Sequence, residues 1–156
     1  MSDSLSKRVQ TLGLTLPAPS VPIANFVPFV VSQNLLFISG QVPLQDGQPA
    51  YIGRLGDAID EAEGTKAAEL ATLGLLAQLG SALDDDLARL VRVVRLSVYV
   101  SATAEFTRQS VVANGASNLL VNALGEKGRH ARIAIGVASL PSGVAVEVDA
   151  IFELVP

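Results

Sequence analysis

The chain has 156 residues, 49% of them hydrophobic, 17% charged and 4% aromatic, and a formal net charge of -4 at pH 7. That length suits one sizeable core and is short for two ordinary domains. The acidic balance gives no overall electrostatic reason to approach a phosphate backbone, the lack of cysteine removes disulfides and thiolate chemistry, and the single histidine removes a His-cluster zinc site.

Residues 1–20 read as an N-terminal extension holding a short helix. In "DSLSKRVQTLGL", Asp3 or Ser4 can cap, Leu5, Val9 and Leu12 fall at helical spacing, and Gly13 closes the segment. The start is acidic and polar where a secretory signal needs a basic start and an apolar core, and no apolar run approaches the roughly 20 residues of a membrane span. A cytoplasmic soluble protein with no membrane partner is expected.

After the stiff "PAPSVP", the segment "ANFVPFVVSQNLLFISGQ" reads as two strands reversing around Ser32, Gln33 and Asn34, with Pro28 marking an edge or a bulge. The polar, glycine-rich "LQDGQPAYIGRLG" is a loop. From Asp57 to Leu83 the spacing of Ala67, Leu70, Leu73 and Ala77 predicts a long helix with those residues on one face. Gly64, Gly74 and Gly80 each cost it about 1 kcal/mol relative to Ala, so packing must support it.

In "ARLVRVVRLSVYVSA" the period becomes two: Val94, Leu96, Val98 and Val100 alternate with Arg95, Ser97 and Tyr99, predicting a strand with two unlike faces. A second helix follows through Val111, Leu119 and Leu120 to Gly125 or Gly128, with Asn114 and Gly115 as a kink or local break. "ARIAIGVASLPSGVAVEVDAIFELV" reads as a terminal hairpin turning at "LPSG", with Ile133, Ile135 and Val137 on one face and Val144, Val146, Val148, Ala150 and Phe152 on the core face of the last strand. The order β-β-α-β-α-β-β implies one sheet, α+β in class, with two main helices on one side.

Two helices cover one side of such a sheet. The expected uncovered face carries Arg95, Ser97 and Tyr99; then Arg132, Ala134 and Gly136; then Ala145, Glu147, Asp149, Ile151 and Glu153. Apolar residues among these charges point to a subunit interface and a symmetric oligomer. On this reading Arg132 and Glu147 emerge on neighbouring strands into an intersubunit groove, the arginine suited to a substrate carboxylate and the glutamate to water activation or proton transfer. Periodicity alone favours a partly buried interface ion pair between them. Asp149 is a rival acid, paired with Arg95 or solvated. Ser39 has no His and acid partners that would make it a nucleophile. His130 is expected in a loop, or facing away from Arg132.

The segments "ISGQVPL" (38–44), "VVRLSVYV" (93–100), "ARIAIGVASLP" (131–141) and "VAVEVDAIFELV" (144–155) together resemble the RidA family, also called YjgF or endoribonuclease L-PSP, over roughly residues 20–155. The resemblance implies a chorismate-mutase-like α+β fold with a single mixed sheet, a homotrimer with clefts between subunits, and hydrolysis of 2-imino or enamine acids such as 2-aminoacrylate to 2-keto acids and ammonia. It implies no metal and no organic cofactor. Residue by residue, Arg132 falls on the family's carboxylate-binding arginine, Glu147 on the glutamate proposed to orient or activate water, and Ser39 and Gly40 on the pocket-lining "SGQ" segment. Ala134 stands where a cysteine is frequent, so backbone contacts survive and thiol chemistry does not. Phe26 stands where many members have a pocket tyrosine, keeping the ring without its hydroxyl. The pocket asparagine falls on Gln109 or Asn114, in a stretch between Phe106 and Arg132 longer than in the short members. Two alternatives share the chain: a noncatalytic binder of small carboxylates using the same cleft, and a ribonuclease or translation inhibitor, which the acidic charge and missing basic patch oppose.

Overall fold

The computed structural model describes residues 3–156. Helix α1 (Leu5–Thr11) is capped by the Ser4 hydroxyl, and its Leu5 and Val9 are buried in the same core as the rest of the chain. Strand β1 (Phe29–Ser32) turns through Gln33 and Asn34 into β2 (Leu35–Gln41). A short ribbon of β3 (Leu44–Gln45) and β4 (Gln48–Pro49) precedes α2 (Glu61–Leu83). Then come β5 (Leu90–Ser101), α3 (Gln109–Leu124), β6 (Ala131–Val137) and β7 (Val146–Leu154).

The start of α2 is fixed by a capping box: Asp60 Oδ1 accepts from the Glu63 amide at 2.8 Å, and Glu63 Oε2 accepts from the Asp60 amide at 2.9 Å. Its buried surface is wider than the predicted stripe. Leu70 and Leu73 are half-buried, while Ala68, Ala71, Leu75, Leu76, Leu79 and Leu83 join Ala67 and Ala77 in the interior. The reason is that α2 packs on two neighbours at once, the sheet and α3. Helix α3 runs unbroken through Asn114 and Gly115. Gly115 is no kink; it is where the Thr65 carbonyl of α2 comes so close that a Cβ would collide with it.

The main sheet has the order β1-β2-β7-β5-β6, with β5 and β6 parallel and every other pair antiparallel. The sheet is therefore mixed, with β1 at one edge, as Pro28 suggested. The expected terminal hairpin does not form. Strand β7 inserts between β2 and β5, and β6 takes the far edge. Burial explains this placement: β7 offers Val146, Val148, Ala150, Phe152 and Leu154 to the core, whereas β6 offers little apolar bulk on its covered face.

A second departure concerns which way β6 faces. Its parallel register pairs Leu96 with Arg132, Val98 with Ala134 and Val100 with Gly136, so these three β6 residues point toward the helices. A Cβ on Gly136 would lie 2.9 Å from the Gln109 side-chain amide of α3, so a larger residue there would have to displace that side chain. Ile133 and Ile135 face the uncovered side and stay 37% and 40% exposed in the single chain. On β5, a register shift between Val93 and Arg95 puts Val93 rather than Val94 in the core. Arg95, Ser97, Tyr99, Glu147, Asp149, Ile151 and Glu153 keep their expected side, while Ala145 is buried ahead of β7.

Candidate functional site

The residues singled out in the sequence fall into two groups on opposite faces of one sheet. The first group surrounds Glu147 on the uncovered face. Opposite it, the irregular end of β2 presents Gly40, whose missing side chain leaves the space the Glu147 carboxylate occupies. Ser39 is a fastener, not a nucleophile: its hydroxyl donates to the Val27 carbonyl at 2.9 Å and its amide to the Pro28 carbonyl at 2.9 Å, tying the loop that carries Phe26 to β2. The Phe26 ring is exposed on that loop.

Glu147 is half-buried and accepts no protein hydrogen bond among the described residues. Burial raises its pKa above the usual carboxylate range, and the like charge of Asp149 raises it further. Asp149 does not pair with Arg95; it accepts from the Tyr99 hydroxyl at 3.1 Å. Burial and the Asp149 charge also raise the Tyr99 pKa.

The second group surrounds Arg132. Its Nη1 donates to Asn114 Oδ1 at 2.9 Å and to Ser117 Oγ at 3.1 Å, and its Nη2 donates to the Ser110 carbonyl at 3.3 Å. A guanidinium has five N–H groups, so Nε–H and one Nη2–H stay free, on neighbouring nitrogens, for a carboxylate's two oxygens. The side chain is exposed, and no carboxylate neutralises it among the described residues. Ala134 follows on the same face of β6, half-buried against the core. Of the two α3 residues singled out for a pocket amide, Asn114 touches Arg132, whereas Gln109 donates to the Phe106 carbonyl at 2.8 Å.

Arg132 and Glu147 therefore do not meet within one chain and form no ion pair there. Strand β5 separates β6 from β7, and the register places Arg132 beside Leu96 and Glu147 beside Tyr99. The two Cα atoms are thus about 10 Å apart across the sheet and about 10 Å apart along it, with side chains leaving opposite faces.

Sequence reasoning passed over Ser110 and Ser117 and left His130 outside the site. Ser110 and Ser117, with Asn114, recur at i, i+4 and i+7 of α3 and so share one side of the helix. His130 lies in the loop just ahead of β6, one of its two expected places, and its ring stands on the Arg132 side rather than facing away. Its Nε2 lies 2.9 Å from Ser117 Oγ and its Nδ1 lies 2.6 Å from the Gly128 carbonyl. Among the described residues no group of three or more Asp, Glu or His side chains could hold a metal ion, and no helix is long and apolar enough to cross a membrane.

Comparison with known proteins agrees with this architecture. A family model described as "YjgF/chorismate_mutase-like, putative endoribonuclease" matches residues 6–153. Protein TCP17 of Trypanosoma cruzi is 46% identical over 154 residues, covering 98% of this chain and 96% of TCP17. Among solved structures, the Agrobacterium tumefaciens protein Atu1372 superposes with a TM-score of 0.91 at 46% identity, covering 97% of this chain and 92% of its own. An endoribonuclease-like protein of Shewanella oneidensis gives 0.93 at 31%, with 97% and 100% covered. Escherichia coli TdcF with bound serine shares the fold at a TM-score of 0.62 and 20% identity, with 89% and 94% covered. With the α+β mixed sheet, the two covering helices and a family match along nearly its whole length, the chain belongs to the YjgF/chorismate mutase-like family, the RidA or endoribonuclease L-PSP group.

Proposed function

We propose that the protein hydrolyses 2-imino acids and their enamine tautomers, of the 2-aminoacrylate type, to 2-keto acids and ammonia, at sites shared between copies in a homotrimer. The observation that carries this reading is the Arg132 guanidinium, exposed, held by neutral acceptors and left with two free N–H groups. Such a group is a receptor for a small carboxylate. TdcF, which shares the fold, was solved with serine, itself an amino acid bearing a carboxylate.

An imine carbon is already electrophilic, so its hydrolysis needs an oriented substrate, a placed water and modest proton transfer. Arg132 of one copy holds the carboxylate, with the backbone at Ala134 beside it. Glu147 of the next copy takes a proton from water as the oxygen adds to the carbon and passes it to the imine nitrogen. Transfer of the hydroxyl proton to the amine then lets the carbinolamine collapse to the 2-keto acid and ammonia, leaving Glu147 as it began. Burial makes Glu147 a stronger base than a solvated carboxylate. Ser39 and Gly40 shape the floor beneath it, and Phe26 supplies an apolar wall. No metal or organic cofactor enters this scheme.

The test is a coupled assay in which an amino-acid oxidase generates a panel of imino acids. Accelerated imine loss by the native chain, and loss of most of that activity in Arg132→Ala and Arg132→Lys, are expected. Full turnover by Arg132→Ala overturns the assignment. Saturable keto-acid binding without acceleration would instead establish a noncatalytic carboxylate binder. RNA cleavage that survives extensive purification and vanishes in Arg132→Ala would establish a ribonuclease.

A further inference from the structure

Hydrogen-bond valence around Arg132 fixes more than the position of one side chain. A carbonyl only accepts, so His130 Nδ1, 2.6 Å from the Gly128 carbonyl, carries a proton. In the neutral ring Nε2 is then the acceptor, and Ser117 Oγ, 2.9 Å away, must donate to it. With its hydrogen so committed, the Ser117 oxygen turns its lone pairs outward, and one of them receives Arg132 Nη1 at 3.1 Å. With the ring neutral, the direction of every bond in the series Arg132 to Ser117 to His130 to Gly128 is therefore fixed.

We propose that Ser117 and His130 are positioning residues for the Arg132 carboxylate clamp: His130, locked by the Gly128 carbonyl, orients the Ser117 hydroxyl so that the guanidinium keeps its free N–H edge toward the ligand. The inference rests on the reading of Arg132 as that clamp. It deepens it by naming what replaces the acidic partner an exposed arginine commonly finds. A carboxylate beside Arg132 would neutralise it and compete with the ligand. A hydroxyl held by a neutral imidazole fixes the same geometry and leaves the positive charge whole. Asn114 and the Ser110 carbonyl do the same from the preceding turns of α3. Ser117 and His130 are each half-buried, so ordering them costs less than ordering a solvated pair.

His130 is the chain's single histidine, so one imidazole signal reports on the network. Long-range 1H–15N spectra of the labelled full chain are expected to show the Nδ1–H tautomer at neutral pH. Titration with pyruvate, a stable 2-keto acid, is expected to shift the His130 Nε2 resonance saturably in the native chain. Ser117→Ala should weaken pyruvate about tenfold and uncouple the His130 signal from it. Ser117→Thr, which restores a hydroxyl, should recover both, and His130→Gln should bind pyruvate better than His130→Leu. In the imine assay the Ser117→Ala loss should fall on KM more than on kcat, which a merely structural defect would not select. An Nε2–H tautomer, or unchanged pyruvate affinity in a folded Ser117→Ala protein while Arg132→Ala has lost binding, overturns the positioning role. Pyruvate binding that is absent from the native chain, or unaltered in Arg132→Ala, overturns the clamp itself.

Discussion

The carboxylate of Glu147 lies across the bare backbone of Gly40, filling the space that a side chain at position 40 would take. The atom in the way is the far end of a flexible chain, so Gly40→Ala should cost the fold little, under about 1 kcal/mol. It should nevertheless displace the proposed base, and a shift of that order at a reacting group costs about tenfold to a hundredfold in rate. The expected result is an unchanged melting curve with kcat/KM on imino acids sharply reduced. A loss of stability without loss of rate would remove Glu147 from the mechanism.

The raised pKa of Glu147 makes a signed prediction for stability. Because the folded value lies above the unfolded value near 4.5, the folded chain binds the extra proton in the window between them. Stability contributed at this position is therefore greatest below the unfolded value and declines as pH rises through the folded one. Glu147→Gln should remove that slope and raise stability at neutral pH while abolishing turnover. Denaturant melts of both proteins across pH 4 to pH 8 check the sign.

Asp149 couples two titrations on the uncovered face. Burial and then Asp149 raise Glu147, and the same order of causes raises Tyr99. Asp149→Asn should therefore move both pKa values down together. Only Tyr51 and Tyr99 absorb as phenolates, so an ultraviolet titration resolves the tyrosine half of this prediction.

Gly115→Ala presents the opposite case to Gly40→Ala, because the new methyl would meet the Thr65 backbone carbonyl rather than a mobile tip. Separating two packed helices is costly, about 1–3 kcal/mol for an overpacked interior position. The melting temperature should fall by several degrees. Since α3 carries Ser110, Asn114 and Ser117, the same shift should weaken pyruvate binding, which isothermal titration would measure.

How far these features could be read from the sequence depended on what each pattern encodes. The long alternations and helical spacings located both main helices and the main-sheet strands, because each spans enough residues for its period to stand out. Strand pairing was not encoded in that way: β7 took the central position through the bulk of its apolar face, and adjacency in sequence suggested a hairpin instead. The direction of β6 was misjudged for a related reason. Alternation divides a strand into two faces without saying which is inward, and Ile133 and Ile135 made the wrong face look like the core side. The supports of Arg132 left a fainter trace, three polar residues at helical spacing and a histidine two positions upstream. None of these is chemically distinctive until the fold brings them to one guanidinium.

The opposite orientation of Arg132 and Glu147 has a consequence that mixing two inactive variants can expose. If each site takes its arginine from one copy and its glutamate from the next, Arg132→Ala and Glu147→Gln are complementary defects. The exposed apolar residues Phe37, Ile133 and Ile135 on the uncovered face would give the copies of the proposed homotrimer a surface on which to meet. In randomly mixed trimers about a quarter of the sites inherit both native residues, so an equimolar co-refolded mixture should regain about a quarter of native activity from two inactive parents. Ile133→Asp combined with Ile135→Lys should block this rescue and leave folded monomers of 16.2 kDa in the ultracentrifuge. A site built within one chain could never be restored by mixing, because no chain in the mixture carries both residues. An inert mixture of demonstrably exchanged trimers would thus refute the shared site, while an active one would require that the cation and the base come from different copies.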